Sequence, residues 1–225
     1  MNLALIVGRR PASLNVLRDK LTGLGLAVSM YQTISALANS SITPRVLLLD
    51  ADASDAQLDS LPAHIAVAPI RLAISPFGTP VAGVPKIIRP PATEEVLIRT
   101  LLEAGYRLPA EAECSAIPSI LHDLTDGDRK LVLELIDSLI ITGESDLKEY
   151  QAHCAEGNWA GAGLLAHRIK GTVRTAGCAS LTRVCERIES AARAETGENL
   201  ACLNHIFEPG VRRLCTELYN LRQSF

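Results

Sequence analysis

The stretch AHRIKGTVR, residues 166–174, decides how the second half of the chain folds. On a helix with about 100° per residue, one face carries four polar or small residues, His167, Lys170, Gly171 and Arg174. The other side is mainly apolar: Ala162, Leu165, Ile169, Thr172, Val173 and Ala176. A histidine in an apolar helix can be a buried core residue, but this one lies opposite the apolar stripe. The pattern therefore predicts a helix that exposes His167.

An exposed imidazole beside cations has a definite chemical use. A neutral imidazole nitrogen is a good nucleophile near pH 7. Lys170 and Arg174, one and two turns further on, are placed to hold the oxygens of a phosphoryl group. Gly171 costs about 1 kcal/mol relative to alanine inside a helix. We interpret it as keeping the surface beside His167 flat for an approaching partner.

A longer stretch around this helix resembles a known family. AHRIKGTVRTAGCASLTRVCERIESAAR, preceded by EGNWAGAGLLAH, is similar to the His-containing phosphotransfer (HPt) domain, whose signature is His-x-x-Lys-Gly on a helix. The similarity spans roughly residues 118–223. It implies an all-α four-helix bundle in which His167 is the phosphoacceptor and Lys170 and Gly171 support it. We expect a partner to dock on the surrounding surface, which includes Leu164 and Arg174.

Helical spacing recurs throughout this half. Leu131 to Leu139 predict one helix, and Leu147 to Cys154 predict a second. Further helices are expected around Leu165, Leu181 and Leu214, so residues 118–225 should form the bundle. Residues 109–117, acidic and bounded by prolines, are expected to be a linker. Arg168 is expected to be a solvated helix position.

Residues 1–108 have a different pattern of apolar residues. Short aliphatic runs predict five strands at 3–7, 26–30, 46–49, 71–75 and 86–88, with helical patterns between several of them. This alternation predicts a doubly wound α/β domain with a parallel sheet. The Pro- and Gly-rich residues 76–83 predict that no helix joins the fourth and fifth strands.

The first half also resembles a family, the receiver domains of response regulators, which are flavodoxin-like α/β domains. LALIVGRRPASLNVLRDK is similar to the first strand and helix, but Gly8 and Arg9 replace the acidic pair that binds Mg²⁺. RVLLLD places Asp50 at the phosphoacceptor position, and Arg89 stands for the usual Lys. The resemblance therefore implies a pseudo-receiver with Asp50 as a vestigial acceptor. Arg9 either pairs with Asp50 or points into solvent.

Composition excludes several classes of function. A net charge of -3 argues against a nucleic-acid partner, which requires clustered Lys and Arg. No apolar run approaches the ~18 residues of a membrane span, so we expect no direct membrane insertion. In the start MNLALIVGRRPAS the basic residues follow the apolar run, whereas in a secretory signal they precede it. We expect a cytoplasmic protein or the cytoplasmic end of a membrane-anchored sensor.

Two functions remain open. In the first, the chain is a phosphorelay intermediate that exchanges phosphoryl groups between His167 and receiver domains of a response regulator or hybrid histidine kinase. It needs no cofactor or metal of its own, because Mg²⁺ belongs to the partner receiver. Neither a Walker loop nor GxGxxG is present, so no autonomous kinase activity is expected. In the second, the chain is a non-catalytic adaptor whose pseudo-receiver is a docking surface.

Overall fold

The computed structural model describes residues 2–9, 11–37, 40–51 and 60–225. The chain divides into two compact units, with the division between Tyr106 and Arg107. We call them the α/β unit and the helical unit. Across the described parts of the chain, every helix is too short or too polar to span a lipid bilayer.

The α/β unit is built on a five-stranded sheet. Its strands are β1 (Leu3–Val7), β2 (Ala27–Tyr31), β3 (Val46–Asp50), β4 (Ile70–Ile74) and β5 (Lys86–Ile88). All neighbouring pairs are parallel, in the order β2-β1-β3-β4-β5. This is the order of flavodoxin-like sheets. The arrangement is consistent with the expected receiver-like fold, and each strand lies within one residue of its predicted bounds.

Both faces of this sheet are covered, which explains why β1 and β3 are continuous apolar runs. Helices α1 (Pro11–Gly23) and α3 (Glu94–Glu103) contact the strands and bury leucines at helical spacing. The short helix α2 (Ala63–Ala66) adds Ile65 to a cluster that also contains Leu5 and Leu47.

Residues 75–85, between β4 and β5, are all described and contain no helix, as predicted. Val81 and Val84 from this loop join the apolar cluster on the sheet. The loop therefore buries apolar side chains where a helix would otherwise pack.

The helical unit contains five helices: α4 (Glu111–Leu124), α5 (Arg129–Ala155), α6 (Trp159–Thr175), α7 (Ala179–Arg193) and α8 (Gly197–Gln223). The last four pack in a closed ring of neighbours, α5 against α6, α6 against α7, α7 against α8 and α8 against α5. Short turns join them, so successive helices run antiparallel. Gly157 and Gly177 have positive φ in two of these turns, a conformation that glycine adopts without strain.

Two expectations about this unit were wrong. Residues 109–117 are not a linker, because α4 begins at Glu111 and continues through Pro118. The two helices expected at 131–139 and 147–154 are one continuous helix, α5. Gly143 in its centre does not break it. A methyl group there would lie 3.1 Å from Sγ of Cys215, so this glycine lets α5 pack closely against α8.

Candidate functional site

Helix α6 carries the candidate site, and its ends are well defined. The side chain of Asn158 caps the start by accepting the backbone N–H of Gly161 at 3.0 Å. Trp159 opens the helix and packs against Gly197, where a methyl group would lie 2.7 Å from the indole ring. The predicted apolar stripe is confirmed, because every one of its residues is buried: Ala162, Leu165, Ile169, Thr172, Val173 and Ala176.

His167 therefore faces outward from the middle of α6. Its side chain is 69% exposed, which excludes a buried core histidine. Leu164, Gly171 and Arg174 are also exposed on this helix. The structure thus brings the predicted site residues to one accessible face, with one exception.

The exception is Lys170, whose side chain is only 15% exposed. Its Nζ lies 2.6 Å from Oε1 of Glu189, a residue of α7. The other carboxylate oxygen of Glu189, Oε2, lies 3.5 Å from Nδ1 of His167 and 3.5 Å from Nη2 of Arg193. A single carboxylate, 9% exposed, therefore sits between three basic side chains.

Glu189 and Arg193 were not among the residues predicted from the sequence to form the site. The available signal was the position of Glu189 on α7, in line with the buried residues Leu181, Cys185 and Ile188. A carboxylate within an apolar stripe requires a charged or hydrogen-bonding partner. The identity of that partner depends on which helix lies alongside, and the sequence of α7 alone does not contain this information.

The glycines of α6 differ in what surrounds them. A methyl group at Gly163 would lie 2.9 Å from Cβ of Ala192, so Gly163 allows α6 and α7 to approach closely. A methyl group at Gly171 would have no neighbour within 4 Å. Packing within the described parts of the chain therefore does not require glycine at position 171.

A groove of about 640 Å³ runs beside His167. Gly163 and Leu164 of α6 line one side, and Ala192 and Arg193 of α7 line the other. Its lining is apolar near Leu164 and charged near Glu189 and Arg193. The histidine thus stands at the edge of a concave, mixed surface that a second protein can contact.

Arg168 is 57% exposed, as the sequence pattern predicts, but it also pairs with a buried carboxylate. Its Nη2 lies 2.7 Å from Oδ1 of Asp146, a fully buried residue of α5. Burial raises the pKa of Asp146, Arg168 opposes this shift, and Glu149 adds to it. The ion pair directs the guanidinium of Arg168 towards α5, the helix on the other side of α6 from Glu189.

In the α/β unit, Asp50 ends β3 as expected and is 1% exposed. Gly8 lies beside it, because a methyl group at Gly8 would be 2.5 Å from Cβ of Asp50. Arg89 extends to the loop after β4, where a methyl group at Gly78 would be 2.6 Å from its Nη2. Magnesium needs several oxygen ligands. Neither Gly8 nor Arg9 supplies a carboxylate oxygen for such a site. Both alternatives for Arg9 stay predictions, an ion pair with Asp50 or a side chain that points into solvent.

Comparison with known proteins finds one family match, and it lies in the helical unit. The Hpt domain family matches residues 134–224. The chain is also similar to the crystal structure of histidine-containing phosphotransfer protein B (HptB) from Pseudomonas aeruginosa PAO1, with 20% identity and a TM-score of 0.44 over 48% of this chain and 93% of that chain. No curated protein matches the chain. The match lies within the helical unit, and residues 134–224 thus carry an Hpt domain.

Proposed function

We propose that the chain is a phosphorelay intermediate that accepts a phosphoryl group at His167 from an aspartate of one receiver domain and donates it to another. The main support is the exposed position of His167 in the middle of α6, within the stretch that matches the Hpt family. The partners would be receiver domains of a response regulator or of a hybrid histidine kinase.

The transfer itself needs little from this chain. A neutral ring nitrogen attacks the phosphorus of the aspartyl phosphate, an N–P bond forms, and the acyl P–O bond breaks as the carboxylate leaves with the electron pair. A divalent cation at the partner receiver balances the charge on the phosphoryl oxygens. This chain presents the imidazole at an accessible surface, so the reaction depends on how closely the two proteins approach.

The docking surface would comprise Leu164, Gly171 and Arg174 around His167, with the adjoining groove. Leu164 offers an exposed apolar contact next to the histidine. The open space over Gly171 is an argument for a partner, because packing within the described chain does not account for this glycine. Arg174 adds positive charge at the far end of the same face.

The direct test is transfer from receiver domains labelled with ³²P-acetyl phosphate to the full chain. We expect acid-labile label on the wild type and none on His167→Gln. The matched control is His122→Gln, which removes another exposed histidine of the helical unit and should leave labelling unchanged. Label that persists in His167→Gln would contradict the proposed acceptor. A chain that binds receivers but takes no label would instead be the adaptor.

The docking surface has its own test in Gly171→Glu. Bulk and negative charge beside the phosphoryl group should slow transfer by about tenfold or more, equivalent to ~1.4 kcal/mol in the barrier. Asn220→Glu adds the same charge at an exposed position of α8 and serves as the control. Equal transfer rates for Gly171→Glu and the wild type would show that the partner approaches elsewhere.

A further inference from the structure

The residue after His167 on α6 makes an ion pair that links α6 to α5. Nη2 of Arg168 lies 2.7 Å from Oδ1 of Asp146, whose side chain is fully buried. The guanidinium is 57% exposed, so it covers the carboxylate from the solvent side. Nη1 of the same arginine lies 3.9 Å from Oε2 of Glu149, about one turn further along α5. Arg168 therefore faces two acidic side chains of α5, and one of them is buried.

Stability alone does not explain this pair. Burial raises the pKa of Asp146, and Arg168 opposes only part of the shift. Within the described residues, neither carboxylate oxygen of Asp146 accepts a hydrogen bond of normal geometry. Replacing a buried ion pair by apolar residues of similar volume is often neutral or stabilising, and the best-attested role of such pairs is to fix the register of packed helices. The pair therefore points to a role in how α6 is placed.

Near this pair, α5 faces α6 with a glycine. A methyl group at Gly143 would lie 3.7 Å from Cγ2 of Thr172, so these two residues face each other. Gly143 precedes Asp146 by about one turn of α5. Thr172 follows Arg168 by about one turn of α6, so both contacts belong to one antiparallel register. Helices hold their register through side-chain ridges that fit the neighbour's grooves, and glycine adds no side chain to a ridge. The ion pair supplies a directional contact that this glycine cannot supply.

We propose that Asp146 and Arg168 are positioning residues of the phosphotransfer site: their ion pair fixes the rotation and axial position of α6 against α5, and so fixes where His167 stands when a receiver is docked. The proposal rests on the function proposed above, because it concerns transfer to the same histidine. It adds to that function two residues that contact neither the phosphoryl group nor the partner's aspartate.

The consequence for transfer follows from the groove beside His167. Leu164 of α6 lines one wall and Ala192 of α7 lines the other, so a partner seated in the groove contacts both helices. The imidazole then meets the partner's phosphoryl group at a position that depends on how α6 is placed in the bundle. A side-chain tip about 6 Å from a helix axis moves by about 1 Å when the helix rotates by about 10°. A misplacement of ~1 Å can slow a transfer by about 100-fold, because the ring nitrogen must approach phosphorus in line with the bond that breaks.

The test compares transfer from a ³²P-labelled receiver domain to the full chain in single turnovers, at several receiver concentrations. We expect Asp146→Asn, which keeps the shape but loses the charge, to lower the saturating rate about tenfold and to leave the half-saturation concentration within about twofold. The same result is expected for Arg168→Gln. The matched control is Arg212→Gln, which removes an arginine of α8 with similar exposure and should transfer like the wild type. A saturating rate in Asp146→Asn equal to that of the wild type would overturn the proposal.

Two further variants separate positioning from the charge of Arg168 itself. If the exposed guanidinium acted by attracting the phosphoryl group, Asp146→Asn would not slow transfer, because it leaves that charge in place. The double variant Asp146→Asn with Arg168→Gln should lose no more than either single variant, since both changes break one contact. Arg168→Lys should transfer within about threefold of the wild type, because the contact with Asp146 uses one guanidinium nitrogen and an ammonium group can replace it. Additive losses in the double variant, or a Lys variant as slow as Arg168→Gln, would contradict the positioning role.

A small phosphodonor separates failure of this proposal from failure of the function on which it rests. Potassium phosphoramidate transfers its phosphoryl group to a ring nitrogen of histidine with loss of ammonia, and it needs no docking surface. We expect it to label the wild type, Asp146→Asn and Arg168→Gln at the same rate, because the imidazole itself is unchanged. If Asp146→Asn is slowed with this donor as well, the pair acts on the imidazole and the positioning role is wrong. If a phosphorylated receiver does not label the wild type, the phosphorelay function fails, and the positioning role fails with it.

Thermal unfolding of each variant checks that the helical unit remains folded. Arg168→Gln leaves the buried carboxylate of Asp146 unpaired, which is destabilising. If that variant does not fold, Asp146→Asn and the double variant decide the question, because neither leaves a buried charge without a partner.

Discussion

Asp146 is a buried carboxylate whose contact with Arg168 only partly offsets the cost of burial. Its pKa is raised from the usual 3.8, with burial as the largest cause. A raised pKa means that the folded state binds the proton more tightly than the unfolded state does. The stability linked to Asp146 is therefore fully present at low pH and is lost as pH rises through the raised value.

We predict that Asp146→Asn removes this loss. The difference in unfolding free energy, variant minus wild type, should increase as pH rises from about 4 to 7, because the amide carries no charge to desolvate. Urea unfolding monitored by Trp159, the only tryptophan, reports on the helical unit. A difference that does not change with pH would show that Asp146 is not destabilised by burial.

Asp137 provides the opposite case for comparison. Its hydrogen bond with Arg222 lowers its pKa, so its contribution is present at neutral pH and is lost as pH falls through the lowered value. Asp137→Asn should therefore change stability with the opposite pH dependence, and only weakly, since the pair lies in solvent. The two variants together test the sign of both shifts.

For single residues, the sequence predicted which side of a helix is exposed better than it predicted which residues form ion pairs. The helical period placed His167 on the exposed side of α6 and Ile169 in the core, and both placements are confirmed. The period also placed Lys170 on the exposed side, but its side chain is mostly buried because it forms an ion pair with Glu189 on α7. A helical period describes one helix in isolation, whereas an ion pair depends on what the neighbouring helix presents.

Among the helices, α4 is joined to the start of α7 by the side chain of Glu113. Glu113 accepts the backbone N–H of Ala110 and that of Ser180, each at 2.7 Å, and also the hydroxyl of Ser180. Its carboxylate therefore satisfies free N–H groups at the start of both α4 and α7. This explains why an acidic segment expected to be a linker is helical and packed.

We predict that Glu113→Ala lowers the unfolding free energy of the helical unit by about 2 kcal/mol, because two helix starts lose their acceptor. Glu113→Gln keeps one acceptor oxygen and should lose less. Glu111→Ala removes an exposed carboxylate that pairs with Arg213 and should cost about 1 kcal/mol or less. Trp159 fluorescence in urea measures all three, and equal losses at positions 111 and 113 would refute the shared cap.

Elements that depend on local pattern were predicted well, and those that depend on contacts were not. The strands of the α/β unit lie within one residue of expectation, since buried parallel strands are short aliphatic runs. The continuity of α5 was missed at Gly143, and the start of α4 was missed near Pro118. Glycine and proline usually interrupt helices. Here the glycine at position 143 allows α5 to pack closely against Cys215 of α8. The start of α4 is stabilised because Glu113 accepts the backbone N–H of Ala110.

At the scale of the whole molecule, the two units differ in whether their candidate phosphoacceptor side chain is accessible. The helical unit exposes His167 beside two cations and a carboxylate. The α/β unit has a receiver-like strand order but places Asp50 in a nearly inaccessible position. Phosphorylation of an aspartate needs access for the donor and a divalent cation beside the carboxylate. We therefore expect phosphoryl chemistry to be confined to the helical unit.

The corresponding prediction is that Asp50 is not phosphorylated. Beryllofluoride with millimolar Mg²⁺, which occupies the acceptor aspartate of working receivers, should give no protein-bound ¹⁹F resonance with the full chain. A functional receiver domain treated in parallel is the control. Introducing an acidic residue by Gly8→Asp should not create the site, because its Cβ would lie 2.5 Å from Cβ of Asp50 and the strand ends would have to separate. A bound ¹⁹F resonance in the wild type that disappears in Asp50→Asn would show instead that the α/β unit is a working receiver.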